Sequence, residues 1–149
     1  VLRSLRRYEE ALESFQKALE FDPKQPDVLN CQALALSFLK NFEQAIAIID
    51  RAISLKPEEV LFEANRGIIL ARASRYAEAF AGCEKAIQQN PKHESGYYAR
   101  ACYYALQGEI EQALGDLQKA IEIAPTIAEA KQSTTLILTV FEMIKGFEH

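Results

Sequence analysis

The stretch FEQAIAIIDRAISLKP, residues 42–57, is one of four versions of the same phrase in this chain. The others are YEEALESFQKALEFDP at 8–23, YAEAFAGCEKAIQQNP at 76–91 and IEQALGDLQKAIEIAP at 110–125. Successive copies lie 34 residues apart, without a gap. Pro23, Pro57, Pro91 and Pro125 fall in one column, and Tyr8, Phe42, Tyr76 and Ile110 in another. Ala11, Ala45, Ala79 and Ala113 form a third, and Ala18, Ala52, Ala86 and Ala120 a fourth. Four columns in phase over four units mark a repeat array.

Each copy has the period of a helix. In the first, Tyr8, Ala11, Leu12, Phe15, Ala18 and Leu19 recur three and four residues apart and make one apolar stripe. Alanines in that stripe leave a flat place where a neighbouring helix can come close. A larger residue there would overpack the crossing, at about 1–3 kcal/mol. Proline then ends the helix, because it has no N–H and disfavours helical angles in the residue before it. A second helix per unit is predicted between the prolines, in PDVLNCQALALSFL (26–39), EEVLFEANRGIILARA (58–73) and HESGYYARACYYALQ (93–107). These carry a small column, Ala33, Gly67 and Ala101, and a bulky one, Leu36, Leu70 and Tyr104. Polar breaks at 40–41, 74–75 and 107–109 lead into the next helix. Helices of about 13 residues would each be roughly 20 Å long.

This unit resembles the tetratricopeptide repeat: 34 residues, small residues at the helix crossing, an aromatic early in the second helix and a proline after it. The resemblance implies an all-α, right-handed superhelical solenoid of antiparallel helix pairs. Residues 1–25 are expected to be the second part of a truncated repeat. Full repeats are expected at 26–59, 60–93 and 94–127, then a capping or continuing helix in 128–149. Pentatricopeptide repeats, which read RNA, are one residue longer and usually basic, and do not match. Departures from the pattern are specific. Where the family places a large aromatic early in the first helix, this chain has Leu29, Glu63 and Tyr97; Glu63 is the misfit, and Phe62 beside it is expected to fill the space. At the turn where the family favours glycine, Gly108 complies and Lys40 and Ser74 do not, at a cost of up to ~1 kcal/mol each.

At the far end, Thr126 and Glu129 form a capping-box pattern for a helix over 126–145. Leu136, Ile137, Leu138, Val140, Phe141, Met143, Ile144 and Phe147 would cover more than one of its faces. The chain begins with Val1 and not Met, and reads as a piece of something longer. Neighbouring repeats covering both ends, or self-association through the N-terminal or C-terminal helices, would each account for the apolar ends.

Composition narrows the function. With 17 basic and 21 acidic residues the net charge is -4, and no basic cluster stands ready for phosphates, so nucleic acid is not expected as a partner. Cys31, Cys83 and Cys102 are too few and too far apart for a disulfide framework or a zinc site, and read as free thiols in a reducing cytoplasm. LILTVFEMI at 136–144 is too short to span a bilayer. His93 and His149 are the only histidines, and neither has a placed Ser, Cys or Asp partner. No catalytic residue, metal or cofactor is expected, and a cytoplasmic location is.

In the family, the first helices line a concave wall that holds a peptide or a helix of another protein. By resemblance, then, this chain is a protein-interaction module. Turning around each first helix away from its buried columns predicts the wall residues: Asn30, Leu34 and Phe38; Asn65, Ile68 and Arg72; Tyr98, Cys102 and Leu106. Ala64, Ala99 and Cys31 share that side, and Gln132, Leu136 and Val140 would extend it. The wall is more apolar than polar, so an apolar ligand is expected, unless tight curvature packs Leu34, Phe38, Ile68 and Leu106 on one another. Tyr98 is the expected anchor; Tyr97 and Tyr104 are assigned to the core. Asn65 matches an Asn of the clamp that holds acidic chaperone tails in some family members, but Ser95 and Ala99 stand where that clamp has Lys and Arg. Arg66, Arg72 and Arg100 are candidates to hold a carboxylate, though Arg66 and Arg100 are expected to lay their stems on apolar neighbours and pair locally with Glu. Two competing readings are an oligomerisation element and a docking domain of a larger enzyme.

Overall fold

A computed structural model describes residues 2–125. Seven helices follow one another in this span: α1 Leu2–Phe21, α2 Pro26–Phe38, α3 Phe42–Leu55, α4 Val60–Arg72, α5 Tyr76–Gln89, α6 Glu94–Leu106 and α7 Ile110–Ile123. The expected helix over 126–145, with Thr126, Glu129, Gln132, Leu136 and Val140, lies outside the described residues. The architecture is an all-α solenoid: each helix packs on its chain neighbours, α4 packs on α6, and α2 approaches α4 at fewer points.

The small columns are the helix crossings. Ala45, Ala79 and Ala113 are at most 1% exposed, and Ala52, Ala86 and Ala120 at most 4%. Ala11 and Ala18 of α1 are half-buried. At the α4–α5 crossing a methyl group on Gly67 would stand 2.9 Å from Cys83 Sγ and 3.5 Å from the Ala79 carbonyl oxygen. That separation is shorter than two such atoms tolerate, so glycine sets how closely this pair packs. Pro23, Pro57, Pro91 and Pro125 are exposed beyond the helix ends.

Phe62 is fully buried in the main core with Leu29, Ile49, Ile69 and Leu70, filling the place that Glu63 cannot. Glu63 is itself nearly buried and meets Lys85 at 3.5 Å. Tyr104, expected in a buried column, is half-buried; it lies against Phe80 and Tyr103 in a cluster of tilted and edge-on rings.

The three polar breaks share one geometry. Lys40, Ser74 and Gly108 have φ of 65°, 63° and 77°. In each, the following N–H reaches back to close the helix end: Asn41 to Leu36, Arg75 to Leu70 and Glu109 to Tyr104, each at 2.9 Å. This is the Schellman closure, whose left-handed residue is usually glycine because a Cβ is strained there. Lys40→Gly and Ser74→Gly are therefore each expected to raise stability, by about 0.5–1 kcal/mol net of the extra chain entropy of glycine. Urea unfolding of the single variants checks this; a loss of stability in both would show that the turns carry no strain.

Ion pairs repeat in register along the array. Arg66 of α4 donates to Asp50 of α3 at 2.7 Å. One unit on, Arg100 of α6 donates to Glu84 of α5 at 2.8 Å, and also forks onto Asp116 of α7 at 2.7 and 2.8 Å.

Candidate functional site, the wall of first helices

The first helices α2, α4 and α6 place the predicted wall residues in columns one repeat apart. The structure sorts those residues by depth. Phe38 is the most open, at 38% exposed, and Leu34, Ile68, Arg72 and Tyr98 are half-buried. Cys102 and Leu106, at 1% and 6% exposed, do not form open surface as expected. Ala64 and Ala99, also expected on this side, are buried too. The cause is the α4–α6 contact. Ala64 of α4 shares a buried cluster with Ala99 of α6, and Ala71 shares another with Leu106, and such small side chains let the two helices close on each other. Leu106 is thereby drawn into the main core. Cys31, by contrast, is exposed.

Between α2 and α4 the contact is sparser. A polar bridge fills part of this seam: the Asn65 amide donates to Asn30 Oδ1 at 2.8 Å, with both residues 8% exposed. Each satisfies the other, as a buried amide pair must. Asn65 is thus committed to its neighbouring helix, and the resemblance to a chaperone-tail clamp loses its one matching residue.

The rest of the seam is a stack. Tyr8 of α1 lies on Phe38 of α2, with ring centroids 4.7 Å apart and planes 8° from parallel. The Arg72 guanidinium of α4 lies over the Phe38 ring, Cζ 4.4 Å from its centroid. Three helices are joined by three flat groups. Sequence reasoning placed Phe38 and Arg72 on one wall but missed Tyr8, which comes from a second helix of the preceding unit. Its only signal was the bulky column at the head of those helices.

Further along, burial first, and then the neighbouring Cys102, hold the Tyr98 phenol above its ordinary range. Burial pushes the Cys102 and Cys83 thiols up to about 12, so both stay protonated at neutral pH. Neither is a nucleophile in the folded protein, since the reactive species is the thiolate.

A second concavity, a cleft of about 600 Å³, opens between α1 and α3 over α2. Leu12, Leu19, Leu36 and Ile48 give it an apolar lining, and Gln16, Gln32, Gln44 and Arg51 a polar one. It does not include any of the predicted wall residues. Among the described residues no helix is long and apolar enough to cross a membrane.

Family models described as TPR repeat and tetratricopeptide repeat match residues 1–37, 32–94 and 95–127 in succession. No curated protein sequence matches. Among solved structures the chain is similar to YrrB, described as a TPR protein with an unusual peptide-binding site. The TM-score is 0.60 at 26% identity, over 92% of this chain and 67% of that one. It is also similar to MamA 41-end from Desulfovibrio magneticus RS-1, with a TM-score of 0.58 at 21% identity, over 99% of this chain and 93% of that one. A further crystal structure of MamA gives 0.59 at 18%, over 98% and 91%. With its 34-residue register, its solenoid of helix pairs and three family matches in succession, the chain belongs to the tetratricopeptide repeat family.

Proposed function

We propose that this chain is a protein-interaction module that holds a peptide segment or helix of another protein against its wall of first helices. The observation that supports this is the strip of Leu34, Phe38, Ile68 and Tyr98, apolar and aromatic side chains that neighbouring helices leave partly open. A preformed wall on rigid helices does not have to order itself on binding, so less of the contact energy is lost. Cys102 and Leu106 lie beneath this surface and shape it from below, while Asn30 and Asn65 hold α2 and α4 in register. The similarity to YrrB, which is described as having a peptide-binding site, favours the same use here.

The test is a displayed library of random peptides, selected on the whole chain and then measured on a Phe38→Glu, Ile68→Glu variant. Two carboxylates on the strip should weaken the selected peptides by about 100-fold or more, the scale of losing hot-spot contacts. The variant should keep its helical circular dichroism, since both positions lie at the surface of the stack. Peptides that bind the two proteins equally would overturn the reading. A mass that grows with concentration would then shift attention to Phe21, which stands 92% exposed at the end of α1.

A further inference from the structure

We infer that the wall takes an acidic side chain at Arg72, so that its ligand is an apolar peptide segment carrying one Asp or Glu. This deepens the proposed function and rests on it. Three arginines lie on α4 and α6, and two are consumed within the fold. Arg66 is paired with Asp50, and Arg100 with Glu84 and Asp116. Arg72 has no ion pair among the described residues.

The surroundings of Arg72 make that vacancy meaningful. Its Nε is buried and has no acceptor, an uncommon state for a charged donor. Phe38 covers one side of the guanidinium, and Tyr8 backs Phe38 in turn. An aromatic face attracts the cation but accepts no strong hydrogen bond in the guanidinium plane, so the fork of donors is left unanswered. The other titratable groups that act on Arg72 are Tyr8 and Cys102. Neither is a carboxylate, and the Cys102 thiol is held protonated by its own burial. Arginine cannot escape by giving up its proton. Nε itself is covered, but the terminal amino groups are not, and an anion from outside the described array can complete the guanidinium there. A planar carboxylate fits best, because it accepts two parallel N–H bonds from one guanidinium. Leu34 and Ile68 on the same wall call for apolar neighbours to that carboxylate.

Register gives this site its singularity. The equivalents of Arg72 one repeat before and after are Phe38 and Leu106. One cation between two apolar positions reads one acidic residue in an apolar segment, not an acidic run. The location also differs from the place of Asn65, whose amide is already bonded to Asn30.

The probe is a peptide array blocked at both ends, so that no terminal carboxylate is present. Each apolar sequence appears twice, once with Glu and once with Gln at the same position. The native chain is expected to bind the Glu members about tenfold or more tightly than their Gln twins, as a charge-assisted fork should. In Arg72→Met the twins should bind alike, with affinity for the Gln members kept within about threefold. If the methionine variant does not fold, Arg72→Lys serves in its place, since it keeps a charge but loses the fork, and the preference should fall severalfold. Equal binding of the twins to the native chain, or a preference that survives at Arg72→Met, overturns the assignment. The Phe38→Glu, Ile68→Glu variant separates the two claims. If it loses Glu and Gln members together while the native chain does not distinguish them, the wall stands and Arg72 is not its acid reader. If it keeps both, or if no peptide binds the native chain, both claims fall.

Discussion

Arg100→Met should lower the stability of the array by about 2–4 kcal/mol. The Arg100 side chain is 22% exposed and Asp116 only 10%, and the two share a forked pair of hydrogen bonds. That pairing with Asp116 is the first cause that pushes the Arg100 guanidinium above its ordinary range. Removing one member of a nearly buried pair leaves the other charged and unanswered, which costs more than the pair itself contributes. Glu84 is 36% exposed and turns to water, so its share is small. Because Arg100 ties α5, α6 and α7 together, the loss falls on all three helices. The diagnostic is rescue: Arg100→Met with Asp116→Leu should recover most of the loss, since an apolar replacement of the whole pair leaves no stranded charge. Urea unfolding followed by circular dichroism measures all three proteins. A single variant within about 0.5 kcal/mol of the native chain would place this network with ordinary surface pairs.

A loss of about 3–5 kcal/mol is expected for Phe62→Ala, the range for deleting a fully buried phenyl ring. Phe62 has no exposed surface and packs in the main core of α2, α3 and α4. Its neighbours sit on separate helices held by alanine and glycine crossings, so they have little freedom to collapse into the space. Phe62→Leu keeps most of the volume and should cost less than about 1.5 kcal/mol. Thermal unfolding of the two variants side by side makes the comparison. If alanine costs no more than leucine, the site relaxes and Phe62 is not the ring that fills the repeat's aromatic place.

The family, the helix order and the crossings were legible in the chain because they repeat. A crossing alanine occupies the same place in every unit, so each column is a measurement made several times over. Phe62 was legible for a local reason, since it stands next to the one residue that breaks the pattern. The left-handed turns could be read at Gly108 and carried by register to Lys40 and Ser74. Depth on the wall was not legible. Whether Leu106 is covered depends on how near α6 comes to α4, and that depends jointly on Ala64, Ala71, Ala99 and Cys102 from two units. A periodicity reading treats each helix alone and cannot weigh such a pair. Tyr8 was missed for the same reason, because its partner in the stack lies thirty residues away in another unit.

The uneven spacing of the first helices has a mechanical meaning. A solenoid has no central core, so its shape is held only joint by joint. Here α4 packs closely on α6, whereas α2 approaches α4 at fewer points, where the main core is topped by one amide bridge and a cation lying on an aromatic ring. The second joint is the more sparsely made of the two. Phe38 and Arg72 stand on opposite banks of it, so a segment lying across both would act as a splint. Its grip would be felt as a stiffening of the whole spring, at distances no direct contact could reach.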